Sequence, residues 1–250
     1  MDPLEAAANV LAGKQRILVY TGAGISTESG IPDFRGPDGV WTKIDPAEFT
    51  FQRYLASAET RRKSWDRRGK SGVLDAVPNS AHDAVVDLWR SGRMVGCVTQ
   101  NIDGLHRKAG LPDDALVEVH GNARDTVCLG CDARLPTTEV ASRVAGGEED
   151  PACTDCGGIL KVDVVFFGEP MPEMAMRIGH QWAGRADAVL AVGSTMGVFP
   201  AAYIPLGVVE SGRPMVLLNR GDTEMDDLAT VKLEGAAGEI LPELVTRIVG

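Results

Sequence analysis

Short, nearly continuous apolar segments alternate with amphipathic stretches along most of the chain. The apolar segments, rich in β-branched residues, cover residues 17–20, 94–99, 116–119, 162–167, 188–192 and 215–218. Helical spacing of apolar side chains falls at residues 4–12, 80–90, 174–184 and 238–250. Strands that are apolar on both faces and alternate with helices are typical of a parallel sheet covered on both sides. The pattern therefore predicts a doubly wound parallel sheet of the α/β class. Ser80 is the predicted N-cap of the helix at residues 80–90.

Two stretches interrupt this alternation. Residues 36–79 are charged and aromatic and predict a helical insert, whereas residues 122–161 hold polar loops, paired cysteines and few apolar runs. No internal repeat or low-complexity tract divides the chain further. We therefore predict one domain over residues 1–250, in which the large α/β part comprises residues 1–35, 80–121 and 162–250.

The composition narrows the possible partners. The 25 basic and 35 acidic side chains give a net charge of −10, which disfavours non-specific binding to a nucleic-acid backbone. No apolar run approaches the roughly 18–20 residues of a spanning helix. The start, MDPLEAAANVLAGKQ, has acids where a signal peptide has bases. We expect a cytoplasmic protein that binds neither nucleic acid nor membrane.

Four of the five cysteines form two C-x-x-C pairs. Each pair places two thiolates on one turn, and two such turns complete a tetrahedral S₄ zinc site. Since all four ligands come from the protein, the zinc has no open position for water and is structural; a redox site would need only one pair. The fifth cysteine, Cys97, lies in an apolar segment and is interpreted as a buried thiol. The predicted zinc ligands are Cys128, Cys131, Cys153 and Cys156.

A glycine turn follows the first apolar segment. In the run Gly22-Ala23-Gly24, backbone N–H groups are free to approach a phosphate without obstruction by a Cβ atom. The turn lacks the third glycine of the dinucleotide fingerprint, so by itself it also fits a tight strand-to-helix connection.

Longer strings give a specific resemblance. TGAGISTESGIPDFRGPDGVW (21–41), TQNIDGLH (99–106), VHG (119–121), the two C-x-x-C pairs, VDVVFFGEPMP (162–172) and GSTMGVFPAA (193–202) occur in this order. Together they resemble the sirtuin family of NAD-dependent protein lysine deacylases over most of the chain. The resemblance implies a Rossmann-like NAD-binding part with a small zinc insert. It also implies a reaction that consumes NAD and an acylated-lysine protein or peptide, and releases nicotinamide, O-acyl-ADP-ribose and free lysine.

The resemblance also implies the residues that bind NAD. Asp103 and the Ile102 backbone are expected to hold the nicotinamide carboxamide, and Asn101 to order a water molecule and the ribose. Taken alone, the N-I-D-G string also fits a turn at a strand end. The full expected set is Gly22, Ala23, Gly24, Ile25, Asp33, Phe34, Arg35, Gln100, Asn101, Ile102, Asp103, Gly193, Ser194, Thr195, Asn219 and Ala237.

His120 and Asn101 are the expected catalytic residues. A histidine titrates near neutral pH, so His120 suits a general base that takes a proton from a ribose hydroxyl. A lone histidine near a strand end is more often a packing residue, and only the V-H-G context favours catalysis. The expected acyl-peptide contacts are Val165, Phe167, Gly168, Glu169 and Val198. Val164 and Phe166 of the same segment fit a core strand as well as they fit a peptide channel, because alternate residues of a strand face opposite ways.

The sequence departs from the family pattern in three places. Val162 replaces the usual proline, and Ser194-Thr195-Met196 replaces the usual Thr-Ser-Leu. The desuccinylating branch uses a Tyr-x-x-Arg pair, and the best match here, Trp65-x-x-Arg68, lacks the tyrosine hydroxyl. Acyl preference and oligomeric state stay open. So do two alternatives on the same NAD site: a protein mono-ADP-ribosyltransferase and an NAD-sensing module without turnover.

Overall fold

The computed structural model describes residues 2–36 and 39–250. Its strands are β1 Ile17–Thr21, β2 Met94–Thr99, β3 Leu116–Glu118, β4 Gly121–Cys128, β5 Arg134–Pro136, β6 Leu160–Val164, β7 Ala188–Val192, β8 Met215–Asn219 and β9 Val231–Glu234. Its α-helices are α1 Pro3–Ala12, α2 Phe51–Ala56, α3 Ala58–Lys70, α4 Ser80–Arg90, α5 Leu105–Lys108, α6 Thr137–Ala145, α7 Glu173–Arg185, α8 Tyr203–Glu210 and α9 Ala237–Val249. Within these described ranges, no helix has both the length and the apolar character needed to cross a membrane.

Six parallel strands form the large sheet, in the order β3-β2-β1-β7-β8-β9. From β1 the chain builds outward to one edge, and from β7 it builds to the other, so the strand order reverses between β1 and β7. This is the doubly wound, Rossmann-like order, and the predicted fold class is confirmed. In open α/β sheets, ligands bind outside the carboxyl ends of the strands at this reversal.

Apolar packing covers both faces of the large sheet. Strands β1, β7 and β8 are buried along their whole length because each has a strand on either side and helices above and below. Helices α1, α4 and α9 pack on one face, and α7 and α8 pack on the other. The continuous apolar segments of the sequence follow directly from this double coverage.

The two inserts share a separate core beside the large sheet. Strands β5, β4 and β6 form a small antiparallel sheet. Tyr54 of α2, Trp65 of α3 and Val140 of α6 pack against it in one apolar cluster. The Tyr54 hydroxyl donates a hydrogen bond to the Leu160 carbonyl oxygen at 2.7 Å. The helical insert and the cysteine-containing insert are therefore packed together.

Two predictions about elements were wrong. The segment 162–167 was expected in the large sheet, but the strand there is β6, which pairs antiparallel with β4. Its apolar residues are buried in the core of the inserts, and apolar content alone does not distinguish one sheet from the other. Ser80 begins α4 but does not cap it; Asn79 does, and its Oδ1 accepts from the Ala81 N–H at 2.9 Å. The short strand β9 was missed.

Candidate active site

Two glycine turns meet where the strand order reverses. The Gly22 N–H donates to the Val192 carbonyl at 3.0 Å, and the Gly24 N–H donates to the Gly193 carbonyl at 2.8 Å. A Cβ atom on Gly24 would lie 2.6 Å from the Gly193 Cα, and Gly193 itself has a φ of +64°. Only glycine fits such an approach. Among the described residues, the Ala23 and Ser194 N–H groups have no acceptor, which suits them to a phosphate.

A single cleft at this edge of the sheet brings together NAD-binding residues that are far apart in sequence. Five of the expected residues line it: Gly24, Asp33, Gly193, Asn219 and Ala237. Five others that the sequence did not single out also line it: Thr27, Leu218, Arg220, Gly235 and Ala236. Leu218 and Arg220 flank the expected Asn219, and Ala236 precedes the expected Ala237, so the segments after β8 and β9 were the signal. Small side chains, unpaired N–H groups and the amide of Asn219 fit a dinucleotide.

Of the Asp33-Phe34-Arg35 segment, Asp33 lines the cleft. Asp33 Oδ1 accepts from the Gly36 N–H at 2.7 Å, and the Asp33 carbonyl accepts from the Val40 N–H at 2.9 Å, so the loop folds back on itself. Phe34 and Arg35 are exposed on this loop. Residues 37 and 38 of the same motif lie outside the described residues.

Asn101 follows β2 and is 8 % exposed. Its Nδ2 donates to the Gly22 carbonyl oxygen and to Ser26 Oγ, both at 3.1 Å. Because a carbonyl oxygen only accepts, this contact fixes which end of the amide is which. Asn101 Oδ1 accepts nothing from the described part of the chain and is left for a ligand. The neighbouring Ile102 N–H likewise has no acceptor among the described residues.

Ser26 connects this loop to the first glycine turn. Its hydroxyl donates to Asp103 Oδ2 at 2.8 Å and lies 3.4 Å from His82 Nε2. Asp103 Oδ1 accepts from the Leu105 N–H at 2.8 Å. Burial raises the pKa of Asp103, and each carboxylate oxygen keeps a second acceptor position for an amide. The sequence did not single out Ser26 or His82, although Ser26 lies within the quoted glycine string.

His120 follows β3 with its ring held in one orientation. Its Nδ1 lies 3.0 Å from the Gln100 carbonyl oxygen. A carbonyl cannot donate, so Nδ1 carries the proton and Nε2 presents a lone pair. Burial lowers the pKa of His120, which keeps the ring neutral at pH 7. The Gln100 side chain accepts from Ser194 Oγ at 2.9 Å and so connects the histidine to the second glycine turn, which Thr195 continues.

The segment after β6 presents alternate side chains to solvent. Val164 and Phe166 are buried, Val165 is half-buried and Phe167 is 48 % exposed. The Val165 N–H donates to the His120 carbonyl at 2.9 Å, so this segment lies directly beside the histidine. Gly168 has a φ of +85° and turns the chain toward Glu169. Val198, on the other expected peptide segment, is also half-buried.

The four paired cysteines converge between β4 and β6. Their Sγ atoms all lie within 4.8 Å of one another. Cys128 and Cys156 are 3.5 Å apart, and Cys131 and Cys153 are 3.8 Å apart. Tetrahedral zinc with Zn–S bonds of about 2.3 Å separates its sulfurs by about 3.8 Å, so this donor set fits structural zinc. Cys97 is fully buried in β2, as predicted.

Comparisons with known proteins point the same way. A sequence model of the Sir2 family matches residues 22–200. NAD-dependent protein deacetylase 2 of Streptomyces coelicolor is 42 % identical over 237 residues, which cover 94 % of this chain and 98 % of that protein. The structure "Structural Basis for the Mechanism and Regulation of Sir2 Enzymes" has a TM-score of 0.91 at 37 % identity, covering 99 % of this chain and 98 % of the other. A second structure, "Sir2-p53 peptide-NAD+", has a TM-score of 0.85 at 33 % identity and covers 95 % of each chain.

Proposed function

The chain belongs to the Sir2 family and is an NAD-dependent protein deacylase, and from this premise we propose how its residues divide the reaction. NAD supplies the ribose carbon that receives the acyl oxygen when nicotinamide leaves. Three tasks remain for the chain: holding the carboxamide of nicotinamide, holding the acyl-lysine, and moving one proton. Each task corresponds to one part of the site.

We assign the proton transfer to His120. The orientation of its ring, fixed by the contact between Nδ1 and the Gln100 carbonyl, is the observation that carries this proposal. With Nδ1 donating to the Gln100 carbonyl, the Nε2 lone pair is the ring's one available acceptor. A neutral imidazole with a lowered pKa accepts a proton from a ribose hydroxyl without first having to lose one. The histidine therefore suits a general base rather than a packing role.

We assign the binding of the nicotinamide carboxamide to the loop after β2. The free Ile102 N–H suits its oxygen, and the remaining acceptor positions of Asp103 suit its amide hydrogens. Asn101 Oδ1, fixed by the two contacts of Nδ2, suits a water molecule or a ribose hydroxyl. Preorganised polar groups of this kind favour the developing charge because they need no rearrangement.

The acyl-lysine falls to the segments that contain Val165 and Val198. A Sir2 protein has been solved with a p53 peptide and NAD, and this supports the same kind of partner here. Among the described residues, no group donates to the Val165 carbonyl and none accepts from the Val198 N–H. Unpaired backbone groups on two segments suit a peptide that adds as an extended strand. The apolar Val165 and Phe167 side chains favour a neutral acylated lysine over a charged one.

The preferred acyl group depends on the arginines of α3. Arg62 pairs with Glu149 at 3.4 Å, and Arg67 pairs with Glu48. Arg68 has no ion-pair or hydrogen-bond partner for its guanidinium among the described residues, and burial lowers its pKa to about 10. We propose that neutral acyl groups are the main substrates. Because the guanidinium of Arg68 has no partner in the described chain, succinyl-lysine is the acidic substrate to compare with them.

The test incubates the protein and NAD with one peptide that bears acetyl-, succinyl- or myristoyl-lysine. We expect acyl loss matched by nicotinamide release, both followed by mass spectrometry. His120→Ala should lower kcat by about 10²–10⁴-fold with NAD affinity unchanged, because it removes only the base. His180→Ala, which removes an exposed histidine of α7, is the matched control and should change neither.

Other outcomes would redirect the proposal. Nicotinamide release with a gain of ADP-ribose on the peptide would indicate ADP-ribosyl transfer. Equal turnover by His120→Ala and the unmodified chain would remove His120 as the base.

We also propose action in the cytoplasm, since a thiolate zinc site is suited to a reducing compartment. Fractionation of the source cells tests that proposal.

A further inference from the structure

A buried lysine lies beneath the segment that we place against the peptide. Lys161 of β6 is 3 % exposed, and its Nζ lies 3.1 Å from Glu169 Oε2. The same ammonium donates to the Val164 carbonyl oxygen at 2.6 Å and lies 4.9 Å from the Phe166 ring centroid. A buried cation is costly in free energy unless it is paired and hydrogen-bonded. An apolar side chain would fill this place at lower cost, so packing alone does not account for Lys161.

Glu169 extends the contact to the other end of the segment. Its Oε2 accepts from the Phe166 N–H at 2.7 Å, and its own N–H donates to the Phe166 carbonyl at 3.0 Å. Gly168 supplies the positive φ that a tight turn needs between them. Lys161 thus fixes the backbone just before Val165, and Glu169 fixes it just after. The ion pair joins the two fixed points.

The backbone of Val165 lies between these two anchors. Its N–H donates to the His120 carbonyl, and in the described chain its own carbonyl receives no hydrogen bond. Beyond it, the Phe167 N–H donates to the Phe49 carbonyl at 2.9 Å. The free carbonyl is therefore held in one direction, beside the proposed base, by contacts that leave it unpaired.

We infer that Lys161 and Glu169 are positioning residues for the acyl-peptide: their buried ion pair holds the backbone of Val165 and Phe166 in the form that a substrate strand pairs with. Lys161 lies too deep to touch substrate, and Oε2 of Glu169 is already engaged by the Phe166 N–H and the Lys161 ammonium. Through this oxygen Glu169 holds the segment in place, a role that adds to the direct peptide contact expected from the sequence. The inference rests on the proposed peptide site.

The test is Lys161→Met, which keeps the apolar stem and removes the ammonium. We expect the KM for an acetyl-lysine peptide to rise on the order of tenfold, which corresponds to about 1.4 kcal/mol. NAD affinity, zinc content and kcat at saturating peptide should stay within about twofold. Hydrogen exchange at the Phe166 amide should quicken. Lys161→Arg should recover most of the lost affinity. The matched control is Lys232→Met, which removes a lysine of β9 that pairs with Asp226.

Several outcomes would overturn the inference. One is an unchanged peptide KM in Lys161→Met; another is a loss of kcat without a change in KM. If that variant does not fold, Glu169→Gln decides, because it keeps an acceptor for Phe166 and weakens only the ion pair. A normal KM and normal exchange in Glu169→Gln would then refute the role. Peptide turnover by the unmodified chain tests the proposed function separately, so the two failures are distinguishable.

Discussion

The large sheet and the joined inserts are stabilised by different forces within one chain. Strands β1, β7 and β8 are apolar and buried from end to end, and helices cover both faces. The inserts have a three-stranded antiparallel sheet, one shared apolar cluster, four thiols that fit zinc, and ion pairs such as Arg61–Asp150. The sheet therefore depends mainly on burial, whereas the inserts depend on specific polar and metal contacts. Loss of one such contact should harm the inserts far more than the sheet.

The largest expected effect comes from removing one zinc ligand. Cys128→Ser should abolish binding of one zinc ion per chain and unfold residues 122–161, because structural zinc sites supply folding free energy directly. Turnover should also be lost, because the segment after β6 that we place against the peptide would no longer be held in position. The parallel sheet should keep its far-UV circular dichroism and its resistance to protease.

Cys97→Ala is the control for this experiment. It removes the one cysteine outside the cluster, a thiol buried in β2, and should keep full zinc content. Metal analysis and limited proteolysis measure both variants. Cooperative loss of the whole fold in Cys128→Ser would break the comparison between the two regions, and retained zinc would contradict the four-cysteine assignment.

The second effect belongs to the sheet region and appears on acidification. Burial lowers the pKa of His82 from 6.5 to about 4 and that of His106 to about 3. Below pH 6.5 the unfolded chain therefore binds more protons than the folded one, and the free energy of unfolding falls as pH drops toward 4 and 3. The contribution is complete above pH 6.5 and amounts to about 3 kcal/mol for His82.

Urea unfolding at several pH values between 7.5 and 4 measures this dependence. His106→Gln removes one of the two groups and keeps an amide that can reach Thr21 Oγ1, 2.9 Å from the native ring. Its stability should fall less steeply with acidification than that of the unmodified chain. His180→Gln is the exposed control, and a slope equal to that of His106→Gln would show that the buried ring is not responsible.

The same contrast decides how much the sequence predicted. Burial on both faces makes a strand such as β7 apolar along its whole length, so the large sheet could be predicted from pattern alone. Buried and partly exposed residues follow one another irregularly along β4, and β5 is only three residues long, so neither has the regular alternation that indicates a strand. The cysteine pairs were found because their spacing is dictated by zinc and not by periodicity.

The site divides in a similar way. Residues in quoted motifs, such as Asn101 and His120, do lie at the carboxyl ends of the strands, where a doubly wound sheet places its ligands. Ser26 lies within a motif and Lys161 outside all of them, but neither was singled out, because their roles depend on contacts made across the fold. Ser26 meets Asp103 and Asn101 from another strand end, and Lys161 meets a carboxylate eight residues away through a turn.

The smallest effect concerns the contact between the two inserts. Arg61 of α3 donates from Nε and Nη2 to the Asp150 carboxylate at 2.9 and 2.8 Å, with both side chains mostly buried. Asp150→Asn keeps the shape but removes the charge, and should lower the free energy of unfolding by about 1–2 kcal/mol. The exposed pair Glu59–Lys63 provides the control, because Glu59→Gln loses an interaction already weakened by solvent.

Thermal unfolding compares these two variants, and hydrogen exchange locates the change. If the inserts unfold as one unit, Asp150→Asn should quicken exchange in both α3 and α6, while β1 and β7 stay protected. Faster exchange in α6 alone would mean that zinc and the ion pair stabilise separate units. Equal stability of Asp150→Asn and Glu59→Gln would mean that the shared apolar cluster around Tyr54 and Trp65, and not the ion pair, joins the inserts.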